Sequence, residues 1–283
     1  MLLLDYKKQF IIGLKNEYPT EEINSFFNIL IVNYLNVTRL ELALDPKKEL
    51  SQDEIKHFDK ILGKLIQHEP IQYIIGKTEF FGLTFQVNKN VLIPRPETEE
   101  LVSWILSDFL ESRTSALRIL DIGTGSGCIA ISLAKNLPDT KLIAIDISEK
   151  ALKIASKNAE VNGVVVKFEN QDILHLDKFI GSFDVIVSNP PYVRDLEKKE
   201  MNRNVLENEP EGALYVRDND PLLFYEAITN LAKISLGKGG SLYFEINQYL
   251  AKETEKLMLD SGFKTKLKKD IFGNYRMLKG IKQ

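Results

Sequence analysis

A short run of residues behind an apolar segment could hold a planar amino group. The segment DVIVS, typical of a buried parallel strand, is followed by Asn189, Pro190, Pro191 and Tyr192. The Asn189 side-chain carbonyl and the Pro190 backbone carbonyl can each accept one hydrogen of an –NH2 group. Proline fixes φ and lacks an N–H, so this backbone is stiff, and Tyr192 offers an aromatic face to a planar amide or base. The run could simply terminate a strand, but its place favours substrate binding by all four residues and catalysis by Asn189, Pro190 and Tyr192.

Holding both hydrogens of an amino group would help its nitrogen to react. The nitrogen of a planar –NH2 group is a poor nucleophile because its lone pair is delocalised. Two fixed acceptors would align it with an electrophile and stabilise the positive charge that develops on nitrogen. No strong base is needed when the electrophile is already activated. The run therefore predicts group transfer to an amide or nucleobase nitrogen.

A glycine-rich loop lies earlier in the chain. The segment RILDI is followed at once by Gly123, Thr124, Gly125, Ser126 and Gly127. Parallel α/β sheets bind ligands at the carboxyl ends of their strands, where glycines allow the backbone a close approach. Asp146 ends the next apolar segment, KLIAID, and there it could accept hydrogen bonds from both hydroxyls of a ribose.

The loop favours S-adenosylmethionine over a dinucleotide as the cofactor. In the dinucleotide pattern G-x-G-x-x-G a third glycine stands where this chain has Cys128. Asp121, just before the loop, would repel a pyrophosphate and attract a sulfonium or an amino group. Asp172 could accept from an adenine amino group and Ile173 could pack on the ring, although Asp172 could equally only cap a loop. The alternative without a ligand is a tight strand-to-helix turn.

The segments around these residues alternate between predicted strands and helices. The predicted strands are RILDI, KLIAID, VVVKF, DVIVSN and, later, SLYFEI, with two closing strands around residues 273–274. Helices are predicted from Ser148 to Gly163, from about Asp220, and up to Gly262. This order predicts an α/β fold with a mainly parallel sheet. Residues 193–219 form a polar connection without periodicity, and a connection of this length is usually functional or mobile.

The N-terminal part has a different pattern. Apolar residues recur at helical spacing over roughly the first 75 residues, and the pairs Thr38/Glu41 and Ser51/Glu54 match the capping box that opens a helix. Residues 79–93 then alternate between apolar and polar, with a turn expected at residues 88–90. We therefore predict a helical bundle, a hairpin linker, and a helix that begins after Pro96.

Composition and charge set limits on function. The chain has 283 residues, a formal net charge of −3 and one cysteine, and its three histidines show no metal-ligand spacing. A nucleic-acid-binding protein usually has a basic footprint, which is missing here globally. No apolar run approaches the ~18 residues of a membrane span. We expect a cytoplasmic protein without a metal, a membrane anchor or a direct nucleic-acid partner.

Taken together, the motifs resemble those of the PrmC/HemK family of release factor N5-glutamine methyltransferases over almost the whole chain. The matching motifs are EPIQYIIG at 69–76, EFFGL at 79–83, LIPRPETE at 92–99, DIGTGSG at 121–127, Asp146, SNPPY at 188–192, E-P-x-x-A-L at 209–214 and GNYR at 273–276. The NPPY run alone is shared with adenine-N6 DNA methyltransferases. Its combination with LIPRPETE and a helical N-terminus is much more specific.

The resemblance implies a fold, a substrate and an arrangement of domains. The fold would be a seven-stranded, Rossmann-like class I methyltransferase sheet preceded by a helical bundle. The substrate would be the glutamine of the Gly-Gly-Gln motif in class 1 release factors, whose methylation modulates translation termination. By the same resemblance, the cofactor contacts would fall on residues 123–127, Asp146 and Asn189. For our part, we expect residues 1–76 to recognise the release factor, 77–96 to form the linker, and 97–283 to be the catalytic domain of a monomer. Residues 215–222 depart from the family's usual loop.

Three other functions fit parts of the sequence. A nucleic-acid amino-methyltransferase, acting for example on adenine N6, would flip a base into the same pocket. A ribosomal-protein glutamine methyltransferase would use the same chemistry, and a noncatalytic nucleotide-binding scaffold would use only the glycine loop. Arg95 could be structural, partner-binding or catalytic, Glu97 could merely begin a helix, and Thr98 could line the cofactor pocket.

Overall fold

The computed structural model describes residues 1–110, 116–176 and 181–283, which form two compact units. The first unit contains Met1–Gly76 together with Asn202–Asn208. The second contains Lys77–Met201 and Glu209–Gln283. The short segment Asn202–Asn208 thus packs with the N-terminal unit, although it lies far along the chain. It falls inside the polar connection, residues 193–219, which shows no periodicity in the sequence.

Helices form the first unit. They are α1 Leu3–Leu14, α2 Thr20–Leu35, α3 Arg39–Leu44, α4 Gln52–Ile66, α5 Ile71–Ile75 and, from the later segment, α9 Arg203–Asn208. Both predicted capping boxes are confirmed, because the Thr38 and Ser51 hydroxyls accept from the backbone N–H three residues on. In return, the backbone N–H groups of Thr38 and Ser51 donate to the carboxylates of Glu41 and Glu54. Three fully buried aromatic residues, Phe10, Phe27 and Phe58, lie in the core of this unit.

The second unit is built on a sheet that has seven strands within the described residues. Its strands are β3 Arg118–Ile122, β4 Lys141–Asp146, β5 Lys167–Asn170, β6 Phe183–Ser188, β9 Leu236–Glu245, β10 Phe263–Lys269 and β11 Tyr275–Lys282. Their order is β10-β11-β9-β6-β3-β4-β5, and only β11 runs antiparallel to its neighbours. From β3 the chain moves one way to β4 and later the other way to β6, so the switch point lies at the carboxyl end of β3. The predicted α/β fold is confirmed.

Helices cover the sheet. They are α6 Pro96–Phe109, α7 Cys128–Asn136, α8 Glu149–Asn162, α10 Glu211–Leu214, α11 Leu223–Ser235 and α12 Ala251–Asp260, with short 3-10 helices at Ile173–His175, Asp195–Glu200 and Gln248–Leu250. Helix α8 has the predicted Ser start and Gly stop, since the Ser148 hydroxyl accepts from Ala151 N and Gly163 adopts a φ of 65°. In the described parts of the chain, no helix is long and apolar enough to cross a membrane.

Two local predictions are corrected. The predicted strand VVVKF is wrong in its bounds, because β5 begins only at Lys167. Val164 belongs to the end of α8, where its N–H donates to the carbonyl of Ala159 at 3.1 Å. Gly163 at the same helix end lies in the left-handed region. Val164 therefore belongs to the helix cap, despite the high strand propensity of valine.

The predicted hairpin is present, but with a different turn. Its strands are β1 Lys77–Phe80 and β2 Leu83–Gln86, joined at Phe81 and Gly82. Both turn residues have positive φ values, 51° and 71°, as a tight two-residue hairpin turn requires. The turn expected at residues 88–90 is therefore not the hairpin turn, and Val91–Ile93 do not form a strand.

The polar connection folds into short elements. In the second unit, β7 Val193–Arg194 pairs in parallel with β8 Tyr215–Val216. The 3-10 helix Asp195–Glu200 lies beyond β7, and the N–H of Leu196 donates to Asp218 at 3.1 Å. Residues 215–222, whose sequence differs from the family's usual loop, therefore lie beside the residues that follow Tyr192.

Candidate active site

A cavity of about 510 Å³ opens in the second unit at the carboxyl ends of β3, β4 and β6. Eight predicted site residues line it: Gly123, Gly125, Asp146, Asp172, Ile173, Asn189, Pro190 and Pro191. The cavity thus brings together the glycine loop, the end of β4 and the Asn-Pro-Pro run. Four other predicted site residues do not line it: Thr124, Ser126, Gly127 and Tyr192.

The glycine loop is open on the side of the cavity. Gly123 and Gly125 have φ values of 73° and 56°, and a Cβ added at either would meet no atom within 4 Å. Gly127 differs, because at a φ of 83° its Cβ would lie 2.8 Å from Ile131 and 3.1 Å from Ala155. The first two glycines therefore leave room for a ligand, whereas Gly127 lets α7 pack against α8.

Asp121 is buried directly before the loop. Its Oδ2 accepts from the Thr124 hydroxyl at 2.7 Å, and among the described residues its Oδ1 has no hydrogen-bond partner. Burial raises the pKa of this carboxyl to about 7, although the hydrogen bond from the Thr124 hydroxyl opposes that effect. A carboxylate with an unsatisfied oxygen favours a cationic group near the loop.

Asp146 connects the glycine loop to the start of α8. Its Oδ2 accepts from the N–H of Gly125 and its Oδ1 from the N–H of Ser148, both at 2.8 Å. Burial raises its pKa, and these two N–H groups oppose that effect. Each carboxylate oxygen can accept more than one hydrogen bond, so Asp146 can hold the loop and still accept from a ligand in the cavity.

Asp172 acts as a cap in the structure. Its Oδ1 accepts from the N–H of Leu174 at 3.0 Å, and its Oδ2 lies 2.6 Å from His175 Nδ1. The hydrogen bond with His175 lowers the pKa of Asp172. Both oxygens therefore already have partners, which supports the capping alternative. Its place on the cavity wall leaves a ligand contact as a prediction, and Ile173 beside it gives the wall an apolar surface.

The Asn-Pro-Pro-Tyr run is fixed at both ends. The Asn189 side-chain N–H donates to the Thr98 hydroxyl at 3.3 Å, which places its carbonyl on the opposite side of the amide. The Tyr192 hydroxyl donates to Glu245 Oε1 at 2.9 Å. The Thr98 hydroxyl donates to Glu245 Oε2 at 2.6 Å. One buried carboxylate thus links the first and last residues of the run.

Glu245 and Asn247 were missed by sequence reasoning. Glu245 is the last residue of β9 and is only 2% exposed. Burial raises its pKa, whereas the hydrogen bonds from Thr98 and Tyr192 and the charge of Arg276 lower it. The Asn247 side chain donates to the Tyr192 carbonyl at 3.0 Å and to Glu197 at 2.8 Å. A signal was present, because SLYFEIN puts polar residues at the end of an apolar strand. That end lies at the same edge of the sheet as the cavity.

Arg95 supports the cavity wall from a distance. It forms an ion pair of 2.5 Å with Glu209, whose side chain is buried. Glu209 also accepts from the N–H of Ile93 at 3.3 Å. The residues that follow it, Pro210, Gly212 and Ala213, line the cavity. The motifs IPRP and EPEGAL therefore meet, and Arg95 ties the wall to the segment before α6.

Three residues near the start of α6, Thr98, Glu99 and Glu100, anchor other parts of the second unit. Thr98 contacts Glu245, as described above. Glu99 accepts from the N–H of Phe81 in the hairpin turn at 2.8 Å, and Glu100 accepts from the N–H of Ile271, between β10 and β11, at 3.1 Å. The acidic start of this helix thus fixes three surrounding segments, in addition to its favourable place at a helix N-terminus.

Known proteins match the chain over its full length. Two family models match it, Methyltransferase small domain over residues 101–214 and PrmC N-terminal domain over residues 14–76. A release factor glutamine methyltransferase of Flavobacterium psychrophilum is 53% identical over 99% of both chains. The chain belongs to the release factor glutamine methyltransferases. Another member, from Bacteroides thetaiotaomicron, is 46% identical over 94% of this chain and 95% of its own.

The fold is shared more widely than this family. The crystal structure of a methyltransferase from Pyrococcus furiosus matches this fold with a TM-score of 0.52 at 21% sequence identity. The match covers 72% of this chain and 90% of the Pyrococcus chain. The sequence of this chain predicted its family, its enzyme class and its sheet architecture, and all three predictions are confirmed. The roles of single residues stay predictions.

Proposed function

We propose that this protein transfers a methyl group from S-adenosylmethionine to the side-chain amide nitrogen of the glutamine in the Gly-Gly-Gln motif of class 1 release factors. Full-length similarity to release factor glutamine methyltransferases gives the substrate class. The observation that carries the chemistry is the position of Asn189 and Pro190. Both residues line the cavity that the open glycine loop also lines.

The residues around the cavity fit S-adenosylmethionine. Gly123 and Gly125 leave open space for its nucleoside, and Asp146 on the wall offers oxygens for the ribose hydroxyls. Asp121, with an unsatisfied buried oxygen, favours a cationic sulfonium or amino group near the loop. When bound, the cofactor supplies a methyl group on an already activated leaving group. The protein is then left with positioning and with stabilising charge.

The amide of the substrate would be held by two acceptors. The Asn189 side-chain carbonyl accepts one hydrogen of the glutamine –NH2 and the Pro190 carbonyl accepts the other. This holds the nitrogen in place and stabilises the positive charge that develops on it during transfer. The methylated nitrogen then loses one proton to solvent, and neutral amide is restored. The apolar wall, which includes Ile173, Pro191 and Ala213, limits the access of water.

The first unit would supply recognition of the release factor. A glutamine side chain offers few contacts, and many proteins expose glutamines. Selecting one of them therefore needs a second and larger surface, because specificity is a difference of affinities. The first unit contributes no residue to the cavity, and the family model for the PrmC N-terminal domain covers residues 14–76 of it. We assign this role to residues 1–76, residues 77–96 to the linker and residues 97–283 to catalysis.

Labelled methyl transfer tests the proposed function. The wild-type protein is incubated with radiolabelled S-adenosylmethionine and a class 1 release factor purified from cells that lack this methyltransferase. The matched control is the same release factor with the Gly-Gly-Gln glutamine changed to glutamate, which has no amide nitrogen. We expect label on the first and none above background on the second. Equal labelling of both, or no labelling of either, would contradict the proposal.

A further inference from the structure

We infer that Glu245 and Thr98 are positioning residues, which fix the direction in which the Asn189 side-chain amide faces. The inference rests on the proposed function, because it concerns the residue that would hold the substrate amide. Neither residue lines the cavity. Both act through Asn189, and the geometry of three hydrogen bonds carries the argument.

The two hydrogen bonds between Asn189 and Glu245 run in one direction, because Asn189 donates to Thr98 and Thr98 donates to Glu245. An ionised carboxylate can only accept, so the Thr98 hydroxyl at 2.6 Å must donate its single proton to Glu245. The lone pairs of that hydroxyl then face Asn189, 3.3 Å away, which must present its –NH2 group. The side-chain carbonyl of Asn189 is consequently left on the other side of the amide.

The direction of that amide decides whether the site can accept a substrate hydrogen. The terminal torsion of an asparagine side chain is broad and nearly two-fold, so packing alone distinguishes its two orientations poorly. With the carbonyl available, Asn189 accepts from the substrate –NH2. With the amide reversed, two –NH2 groups would face each other and the developing positive charge would lose an acceptor. The contacts through Thr98 select the first arrangement.

A buried carboxylate at this place needs a reason, because burying a charge is costly. The Glu245 side chain accepts from Thr98 and Tyr192, and burial raises its pKa. These two hydrogen bonds and the charge of Arg276 oppose that effect and favour the ionised form. The same carboxylate therefore orients both ends of the Asn-Pro-Pro-Tyr run. An apolar residue would fill the space at lower cost, but it would leave the Thr98 hydroxyl free to donate to Asn189.

Two substitutions at Thr98 separate positioning from packing. Thr98→Val keeps the shape and removes the hydroxyl, whereas Thr98→Ser keeps the hydroxyl. With intact release factor as substrate, we expect Thr98→Val to lower kcat on the order of 10-fold or more, which is less than the loss expected for removing Asn189 itself. KM for the release factor should change little. Thr98→Ser should restore most of the turnover that Thr98→Val loses.

Glu245→Gln tests the polarity itself. A glutamine –NH2 group can donate to the Thr98 hydroxyl, which then donates to Asn189 and favours the reversed amide. We expect a loss of kcat at least as large as that of Thr98→Val. In an Asn189→Ala background, neither substitution should lower kcat further, because both act through Asn189. Cofactor calorimetry on each variant confirms that it is folded.

The outcomes distinguish this inference from the proposed function. Equal kcat for Thr98→Val and Thr98→Ser, with an active wild type, would overturn the positioning role and leave the function intact. Losses that add to that of Asn189→Ala would also overturn it, since they would show that Thr98 or Glu245 acts elsewhere. If the wild-type protein failed to methylate release factor, the proposed function would be wrong and the positioning role with it.

Discussion

Asn189 is the residue on which the proposed chemistry depends most directly. It lines the cavity, its –NH2 group contacts Thr98, and its carbonyl is left for the substrate. We expect Asn189→Ala to lower turnover on the order of 100-fold, as for the loss of one preorganised partner of a developing charge. Steady-state kinetics with intact release factor measures this, beside calorimetry for S-adenosylmethionine. Near-normal turnover in a variant that binds cofactor would contradict the proposal that Asn189 and Pro190 hold the substrate amide.

Asp121 gives a prediction in which stability and binding change in opposite directions. Burial raises its pKa to about 7, above the ~3.9 of an unfolded aspartate. The folded protein therefore holds a proton that the unfolded chain releases between about pH 4 and pH 7, and stability falls as pH rises through this window. Asp121→Asn removes the buried charge. Its Tm should exceed that of the wild type by a few degrees at pH 8, and the difference should vanish near pH 4.

The same variant should bind S-adenosylmethionine several-fold more weakly at pH 8, because a negative charge near the cation is lost. Thermal unfolding at the two pH values and calorimetry at pH 8 check both parts. A variant that is less stable than the wild type at pH 8, or one that binds the cofactor equally well, would show that Asp121 is not a buried charge facing the cofactor.

At the level of elements, the glycine loop after β3 has one side that faces the cavity and one side that packs between helices. In the glycine loop, Gly127→Ala would bring a Cβ within 2.8 Å of Ile131 and within 3.1 Å of Ala155, at a φ of 83°. Overpacking and backbone strain together should cost about 2 kcal/mol or more of unfolding free energy. Denaturant unfolding measures this loss.

Gly125→Ala is the matched control in the same loop. It also stands at positive φ, but its Cβ would enter open space on the cavity side. We expect a smaller loss of stability, of about 1 kcal/mol, with a larger loss of cofactor affinity. If Gly125→Ala destabilised the fold as much as Gly127→Ala and bound the cofactor normally, the division of the loop into a ligand side and a packing side would be wrong.

The sequence predicted the elements that depend on local pattern and missed those that depend on tertiary contacts. RILDI and KLIAID lie in strands as predicted, because buried parallel strands are continuous apolar runs. The valines at 164–166 were assigned to a strand, although a helix cap takes Val164. The hairpin turn at Phe81 was missed because Phe is rare at positive φ.

The site divides in the same way. Residues at the carboxyl ends of strands, such as Asn189 and Asp146, were predictable from the rule that ligands bind at these ends. Glu245 and Asn247 also lie at the carboxyl end of a strand, but their importance lies in contacts with residues about 50 or more positions away. The partner of Arg95 was equally hidden, since Glu209 lies 114 positions later. Such pairings are fixed by the whole fold, and one sequence gives no register for them.

On the scale of the whole molecule, the two units suggest separate recognition and chemistry. The cavity is lined by the second unit alone, while the first has its own core. We therefore expect intact release factor to react with a kcat/KM at least 100-fold higher than that of a short Gly-Gly-Gln peptide, a difference of about 2.8 kcal/mol in transition-state binding. Parallel assays with both substrates measure the ratio. Equal kcat/KM values would mean that the glutamine and its immediate neighbours suffice for selection.

The central claim is that the acceptor is a release factor glutamine, rather than a nucleobase or a ribosomal protein. The most direct test adds the wild-type protein and isotopically labelled S-adenosylmethionine to an extract from cells lacking this methyltransferase, and maps the labelled atom by mass spectrometry. We expect one major labelled site, the side-chain amide nitrogen of the Gly-Gly-Gln glutamine in a class 1 release factor. Label found mainly in RNA, DNA or a ribosomal protein would contradict it.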